Sequence, residues 1–226
     1  TLSSSSAASD VYKRQAHRSG AQVSDIQYAL TSHYAPSFWF GQKPHYGASR
    51  FYAWSDFWAE RTNVYQEHVV VPREQPELVE AIRNAPTVAP RWDVCVVAQP
   101  RVLRRILAFV QDIVRERPDL SVVIAPHPAQ RATIEQDLAT AGLTGRVSVA
   151  EQDTLSTIVQ SEVAVGTFST SLWESAAIGR PTYVIEVPGY EETLQDIDSG
   201  LFRFARTPHD LVPFEVPASR TSIFGL

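Results

Sequence analysis

Two short stretches of this chain carry residues able to manage an anion. His127 stands between Pro126 and Pro128, directly after the apolar run 121–125. The flanking prolines stiffen the backbone, so the imidazole should project from the end of a strand. A histidine placed there can donate to a phosphate oxygen, or protonate a leaving group near neutral pH. The second stretch is Gly166-Thr-Phe-Ser-Thr-Ser-Leu-Trp-Glu174. An apolar run, 163–165, stops at Gly166, hydroxyls follow at Thr167, Ser169, Thr170 and Ser171, and a helical pattern then runs to Gly179-Arg180-Pro181. Strand, tight turn and helix N-terminus together offer backbone N–H groups, hydroxyl donors and the positive end of a helix dipole. Ser171, Glu174 and Ser175 are spaced to share a helix face beside that anion site, where the Glu174 carboxylate can accept from a ribose diol. The same residues also make a well-capped helix with no ligand, and His127 alone also reads as a histidine bonded to a neighbouring loop.

These groups need a frame to bring them together, and the chain from Trp92 onward supplies one. The spacing predicts strands over 94–98, 121–125, 146–150, 162–166 and 182–186. Between them it predicts helices over 102–117, 129–141 and 154–160 and one from the serine turn to Gly179, the first amphipathic through Leu103, Ile106, Leu107, Val110, Ile113 and Val114. Short apolar strands alternating with helices imply a parallel sheet covered on both faces. Ligands of such sheets sit beyond the carboxyl ends of the strands. Here those ends carry Gln99-Pro100, 126–128, Glu151, 166–171 and Glu186, so polar groups converge on one rim.

Composition narrows the function classes. The chain has 226 residues, 44% of them hydrophobic and 20% charged, which allows a substantial core in one large domain or two modest ones. A formal net charge of −5 argues against a nucleic-acid partner, and Arg101, Arg104, Arg105, Arg115 and Arg117 read as the polar side of a helix. The single cysteine, Cys95, excludes disulfides within the chain and a cysteine metal site. No metal ligation is expected from His33, His45 and His68, whose spacing suggests no site. No apolar run reaches the length of a membrane span. Neither a Gly-x-Gly-x-x-Gly fingerprint, a phosphate-loop lysine nor a Gly-x-Ser-x-Gly elbow is present. Glu191, Glu192, Asp196 and Asp198 read as a solvated face after the fifth strand.

The first part of the chain is less regular. Residues 1–15 include Asp10-Val-Tyr-Lys-Arg-Gln15, which resembles a translated sequencing adapter; with no methionine in the sequence, the chain reads as a fragment and 1–15 as an artefactual or disordered tail. Strands are expected over 24–29, 50–54 and 68–71, with a long loop over 33–47. Helices are expected after Ser55 as N-cap and over 76–83, then a linker over 86–90. Trp39, Trp54 and Trp58 read as core or interface aromatics, with sugar stacking as the alternative.

The pairing of His127-Pro128 with Ser169-Thr170-Ser171, inside the run from Gly166 to Pro181, resembles bacterial GT-B glycosyltransferases of surface-polysaccharide synthesis. The likeness covers roughly 93–212 and is nearest to the sialyltransferase and polysialyltransferase group and to the glycerophosphotransferases that polymerise teichoic acids. It implies an α/β fold: a Rossmann-like parallel sheet with helices on both faces, as the C-terminal domain of a GT-B fold, plus a partial N-terminal domain remnant. The corresponding organisation is a tail over 1–15, an acceptor-side remnant and linker over 16–90, a nucleotide-sugar-binding domain over 91–215 and a C-terminal tail over 216–226. The implied function is metal-independent transfer of a sugar from a CMP-, CDP- or UDP-linked donor to a surface glycan, with no cofactor. By the same resemblance His127 contacts the donor phosphate and is the catalytic group. Ser169, Thr170 and Ser171 contact the phosphate and nucleotide, and Glu174 binds the ribose; Gln99, Pro128, Gly166 and Thr167, from the rim reading, are expected to line the same site. The expected setting is the bacterial cytoplasm, with peripheral membrane contact at most. The stretch 25–34 is similar to a Gln-His-Gly segment of these enzymes, but Tyr28 and Ala29 stand where His and Gly are expected. The general base is expected in an acceptor-side segment before this chain. Three alternatives share the layout: a CDP-glycerol-type glycerophosphotransferase, a UDP-sugar 2-epimerase-like enzyme, and a nucleotide- or glycan-binding module without turnover. The epimerase family has Asp-Ser-Gly-Gly at the turn, where this chain reads Thr167-Phe-Ser-Thr170.

Overall fold

The computed structural model describes residues 11–13, 15–27, 31–32, 49–62, 67–72 and 75–225. The expected loop 33–47, with His33, His45 and Trp39, lies outside them, as do Tyr28, Ala29 and the serine-rich residues 1–10. Its contacts define two compact units. One is Gln75–Arg220; the other joins the described residues before it to 221–225. The division falls before the helix Pro76–Asn84, which packs on the helices Thr154–Val159 and Thr170–Ile178.

The smaller unit is built on three parallel strands, β1 (Ser24–Ile26), β2 (Arg50–Ala53) and β3 (Glu67–Val70), in the order β1-β2-β3. Its core is aromatic: Phe51 and Trp58 are fully buried, and Trp54 stacks on Phe224 with ring centroids 6.4 Å apart. The tryptophans described there are therefore packing residues. Ile223 and Phe224 are also buried, so part of the expected C-terminal tail is core. Ser55 stands at the N-cap of the helix Asp56–Ala59, but its hydroxyl donates to the Ile223 carbonyl at 2.8 Å and caps nothing. His68 packs edge-on to Phe51, and burial lowers its pKa. Residues 11–13 and 15–18 are helical, and Lys13 pairs with Asp25 at 2.7 Å, so the described part of the expected tail has regular structure.

The larger unit holds six parallel strands: β4 (Trp92–Val97), β5 (Val122–Ala125), β6 (Ser148–Val149), β7 (Ser161–Gly166), β8 (Thr182–Ile185) and β9 (Arg203–Ala205). Their order is β6-β5-β4-β7-β8-β9. The chain winds outward from β4 to one edge, returns, and winds outward to the other from β7, which is the doubly wound Rossmann order. Alternation along each strand divides the side chains between two faces. Val94, Val96, Val122, Ile124, Val163, Val165, Tyr183 and Ile185 join one cluster with Ile106, Val110 and Ile113 of the helix Leu103–Glu116. The intervening Cys95, Val97, Val123, Ala125, Ala164 and Val184 are equally buried, on the opposite side.

Two departures from the sequence expectation matter for the rim. The helix expected over 129–141 is broken: a single 3-10 turn, Pro128–Gln130, precedes a shorter helix, Ile134–Thr140. Proline opens that turn, and the Gln130 N–H closes it on the His127 carbonyl at 2.7 Å. The acidic segment after β8 is a solvated face only in part, with Glu191 and Asp198 exposed. It forms a 3-10 turn, Tyr190–Thr193, and a helix, Leu194–Asp198, in which Asp196 is buried, and it leads into β9.

Candidate functional site

Where β4 and β7 lie side by side, the chain connections leave the sheet in opposite directions; such sheets bind their ligands beyond the carboxyl ends of the strands at this switch point. Gln99 follows β4, His127 follows β5 and the 166–171 turn follows β7, so three of the expected segments border this switch point.

The Gly166 backbone is tightly enclosed. A Cβ there would stand 3.1 Å from Leu172 and 3.3 Å from the Val97 side chain, so only glycine lets the strand pass this close beneath the helix. Ser169 is the N-cap of the helix Thr170–Ile178, and its hydroxyl accepts from the Ser171 N–H at a long 3.4 Å. At the other end Gly179 takes the left-handed conformation, φ 91°, and closes the helix. Ser169, Thr170, Ser171 and Glu174 are all half-buried.

His127 is exposed, and its Nδ1 accepts from the Ala129 N–H at 3.2 Å. In the neutral ring that bond puts the proton on Nε2, which is left to donate outward. The 3-10 turn thus sets both the direction and the tautomer of the imidazole. Pro128 is exposed beside it, and Gln99 is half-buried.

Two expected members are placed differently. Thr167 is fully buried, and its hydroxyl has no hydrogen-bond partner among the described residues. It is beneath the rim rather than on it. Ser175, expected to share a ligand-facing side with Glu174, is fully buried and accepts from the Thr182 hydroxyl at 2.9 Å. The helix turns it toward β8. Glu186 is exposed and paired with Arg206 at 3.1 Å.

The structure adds members that spacing alone did not reveal. Gln130, in the 3-10 turn of His127, is buried with its Oε1 unpartnered among the described residues. Arg101, read as part of an exposed helix face, instead sits in the turn Pro100–Val102 after β4 and interacts with Glu192. Burial, with the nearby Glu191, raises the Glu192 pKa against the opposing pull of Arg101. Phe168 packs on Gly189 so closely that a Cβ at that position would meet its ring at 2.3 Å. The only sequence signals were an aromatic inside a run of small polar residues and a glycine after a strand. Among the described residues no group of three or more His, Cys, Asp or Glu is arranged to hold a metal ion.

The sequence matches no known protein family and no curated protein. Similar solved structures exist. The UDP-GlcNAc 2-epimerase of Methanocaldococcus jannaschii, solved with UDP-GlcNAc and UDP, aligns over 88% of this chain and 62% of its own, with TM-score 0.55 and 13% identity. The pneumococcal O-GlcNAc transferase GtfA, solved with UDP and GlcNAc, aligns over 90% of this chain and 45% of its own, with TM-score 0.51 and 11% identity. At such identities the likeness establishes the fold, a Rossmann-like α/β architecture of the GT-B kind. The chain spans under two thirds of the length of either structure.

Proposed function

We propose that this chain is part of a GT-B-type glycosyltransferase whose rim holds the phosphate and nucleoside of a nucleotide-sugar donor. The observation that carries the reading is the pairing across the switch point. His127 offers Nε2–H after β5, and the capped N-terminus of the helix Thr170–Ile178 offers N–H groups and hydroxyls after β7. Glu174, one turn into that helix, is the ribose-binding group in this reading, as the family resemblance implies. In the transfer an acceptor oxygen bonds to the anomeric carbon while the bond from that carbon to the donor phosphate breaks, and the electron pair leaves with the phosphate. The proton on His127 Nε2, the helix terminus and the hydroxyls of Ser169 to Ser171 stabilise that developing charge. The acceptor's proton goes to a base that the family resemblance puts in a preceding segment. The same resemblance supports a surface glycan as acceptor and a bacterial cytoplasmic setting. Charge stabilisation by protein groups makes this a metal-independent proposal, so turnover by a full-length homologue should persist in EDTA.

Calorimetric titration of residues 16–226 with CMP, CDP, UMP, UDP and GDP tests the site. Hydrogen bonds to a charged group contribute about 1.5–3 kcal/mol, so His127→Ala and Ser169→Ala should each weaken the preferred nucleotide by roughly ten- to a hundredfold. Absence of binding to the folded protein ends the reading. Preference for CMP favours a sialyltransferase-like donor, CDP the glycerophosphotransferase, and UDP a hexosyltransferase or epimerase. In a full-length homologue His127→Ala should cost turnover far more than donor affinity; a binding module has no turnover to lose.

A further inference from the structure

A groove of about 700 Å3 follows the edge strand β6 and reaches the rim at Glu151, without touching the nucleotide-site residues His127 and 166–174. Its size lies within the roughly 300–1,000 Å3 that holds small ligands. Its wall includes Trp92, with the Arg91 guanidinium carbon 4.8 Å from the ring centroid. Among the described tryptophans Trp54, Trp58 and Trp173 are buried, at 7%, 0% and 1% exposure. Trp92 is half-buried, with part of its ring at the surface.

The rest of the groove is polar and built. Gln160 donates from Nε2 to Gln152 Oε1 at 2.9 Å, an amide pair that leaves Gln160 Oε1 and the Gln152 side-chain NH2 for a further partner. The loop bearing Gln152 is fixed by Arg131, which donates to the Gln152 carbonyl at 3.0 Å. Glu135 and Glu151 add two exposed carboxylates. Among the lining residues two carboxylates stand against one arginine, Arg91, which disfavours an anion such as a nucleotide or phosphate. A peptide strand would find only two paired residues in β6 to extend. A neutral polyol suits what remains. Its C–H faces pack on an indole, while its hydroxyls alternate as donors to carboxylates and acceptors from amides.

We propose that this groove is a binding site for a neutral oligosaccharide, with Trp92 as the stacking platform and Gln152, Gln160, Glu135 and Glu151 as hydroxyl partners. It shares no residue with the nucleotide site proposed above, so either can fail without the other.

The test follows the Trp92 indole N–H resonance of the full chain during titration with cellotetraose, maltotetraose and chitotetraose. At least one should shift it saturably, Trp92→Ala and Gln152→Ala should each weaken that binding at least about tenfold, and His127→Ala should leave it unchanged. Because Trp92 opens β4, its variant can fail to fold; exposed Gln152 then decides. No shift at millimolar sugar, a shift that survives Gln152→Ala, or one lost in His127→Ala overturns the proposal.

Discussion

At the scale of single residues, the turn that carries Ser169 rests on a contact with no spare volume. Phe168 lies against Gly189, which takes φ 103°, so Gly189→Ala meets both a forbidden backbone region and the ring. The two effects together should cost about 2 kcal/mol or more. Gly200→Ala is the matched control: φ is 77° there, but nothing lies within 4 Å of the added Cβ. Thermal melts should show the larger loss at Gly189, and only that variant should also weaken nucleotide binding, by displacing Phe168 and its neighbour Ser169. Equal losses would show that the ring moves aside freely. Glu192 gives a pH-dependent counterpart. Its pKa is raised in the folded protein, so the folded state holds the proton more tightly than the unfolded chain does. Its contribution to stability is present below the unfolded carboxylate range and is lost as pH rises through the folded value. Glu192→Gln should therefore raise the melting temperature at pH 7, with the gain vanishing near pH 4. Burial pushes the Cys95 thiol up to about 12, so the folded protein should resist alkylation by iodoacetamide until it is denatured.

At the scale of elements, the sequence carried the apolar strands and their order of succession well. Runs such as 94–97 and 163–165 are buried on both faces, and nothing competes with the strand reading. It failed where two signals conflicted. Residues 129–141 have helical composition, but Pro128 and the bond from Gln130 to the His127 carbonyl hold the first turn in 3-10 form. Residues 191–198 are acidic enough to read as surface, yet Thr193 and Asp196 are buried. Within the candidate site, His127 and the serine turn were legible because prolines and a cap fix them locally. The burial of Thr167 and Ser175 was not, since it depends on how the helix Thr170–Ile178 rolls on β7 and β8. The Arg180 side chain illustrates the same dependence on tertiary packing. It donates to the Ala85 carbonyl at 3.1 Å and the Val159 carbonyl at 2.7 Å, joining the ends of two helices. Arg180→Ala leaves both acceptors unpaired and should destabilise by about 1–3 kcal/mol in chemical denaturation. A change inside experimental error would mean that water replaces the guanidinium at no cost.

At the scale of the whole molecule, the question is which part of the chain makes the rim. Every residue assigned to the nucleotide site falls within Gln75–Arg220, and so does the cluster running from Val94 to Leu211 that supports it. The sheet is complete within that unit, because β6 through β9 all pair there. A unit with its own core and its own sheet satisfies what independent folding requires. Residues 75–220 expressed alone should therefore unfold in one cooperative transition and bind the preferred nucleotide within about threefold of the longer chain, a difference near the uncertainty of such comparisons. Loss of cooperative unfolding would show that residues outside the unit complete its core. Cooperative unfolding with nucleotide affinity lost would be more informative, since it would mean that the ligand needs groups from beyond the Rossmann-like sheet. The rim would then be half of a site, with phosphate contacts from His127 and the serine turn and base recognition supplied elsewhere.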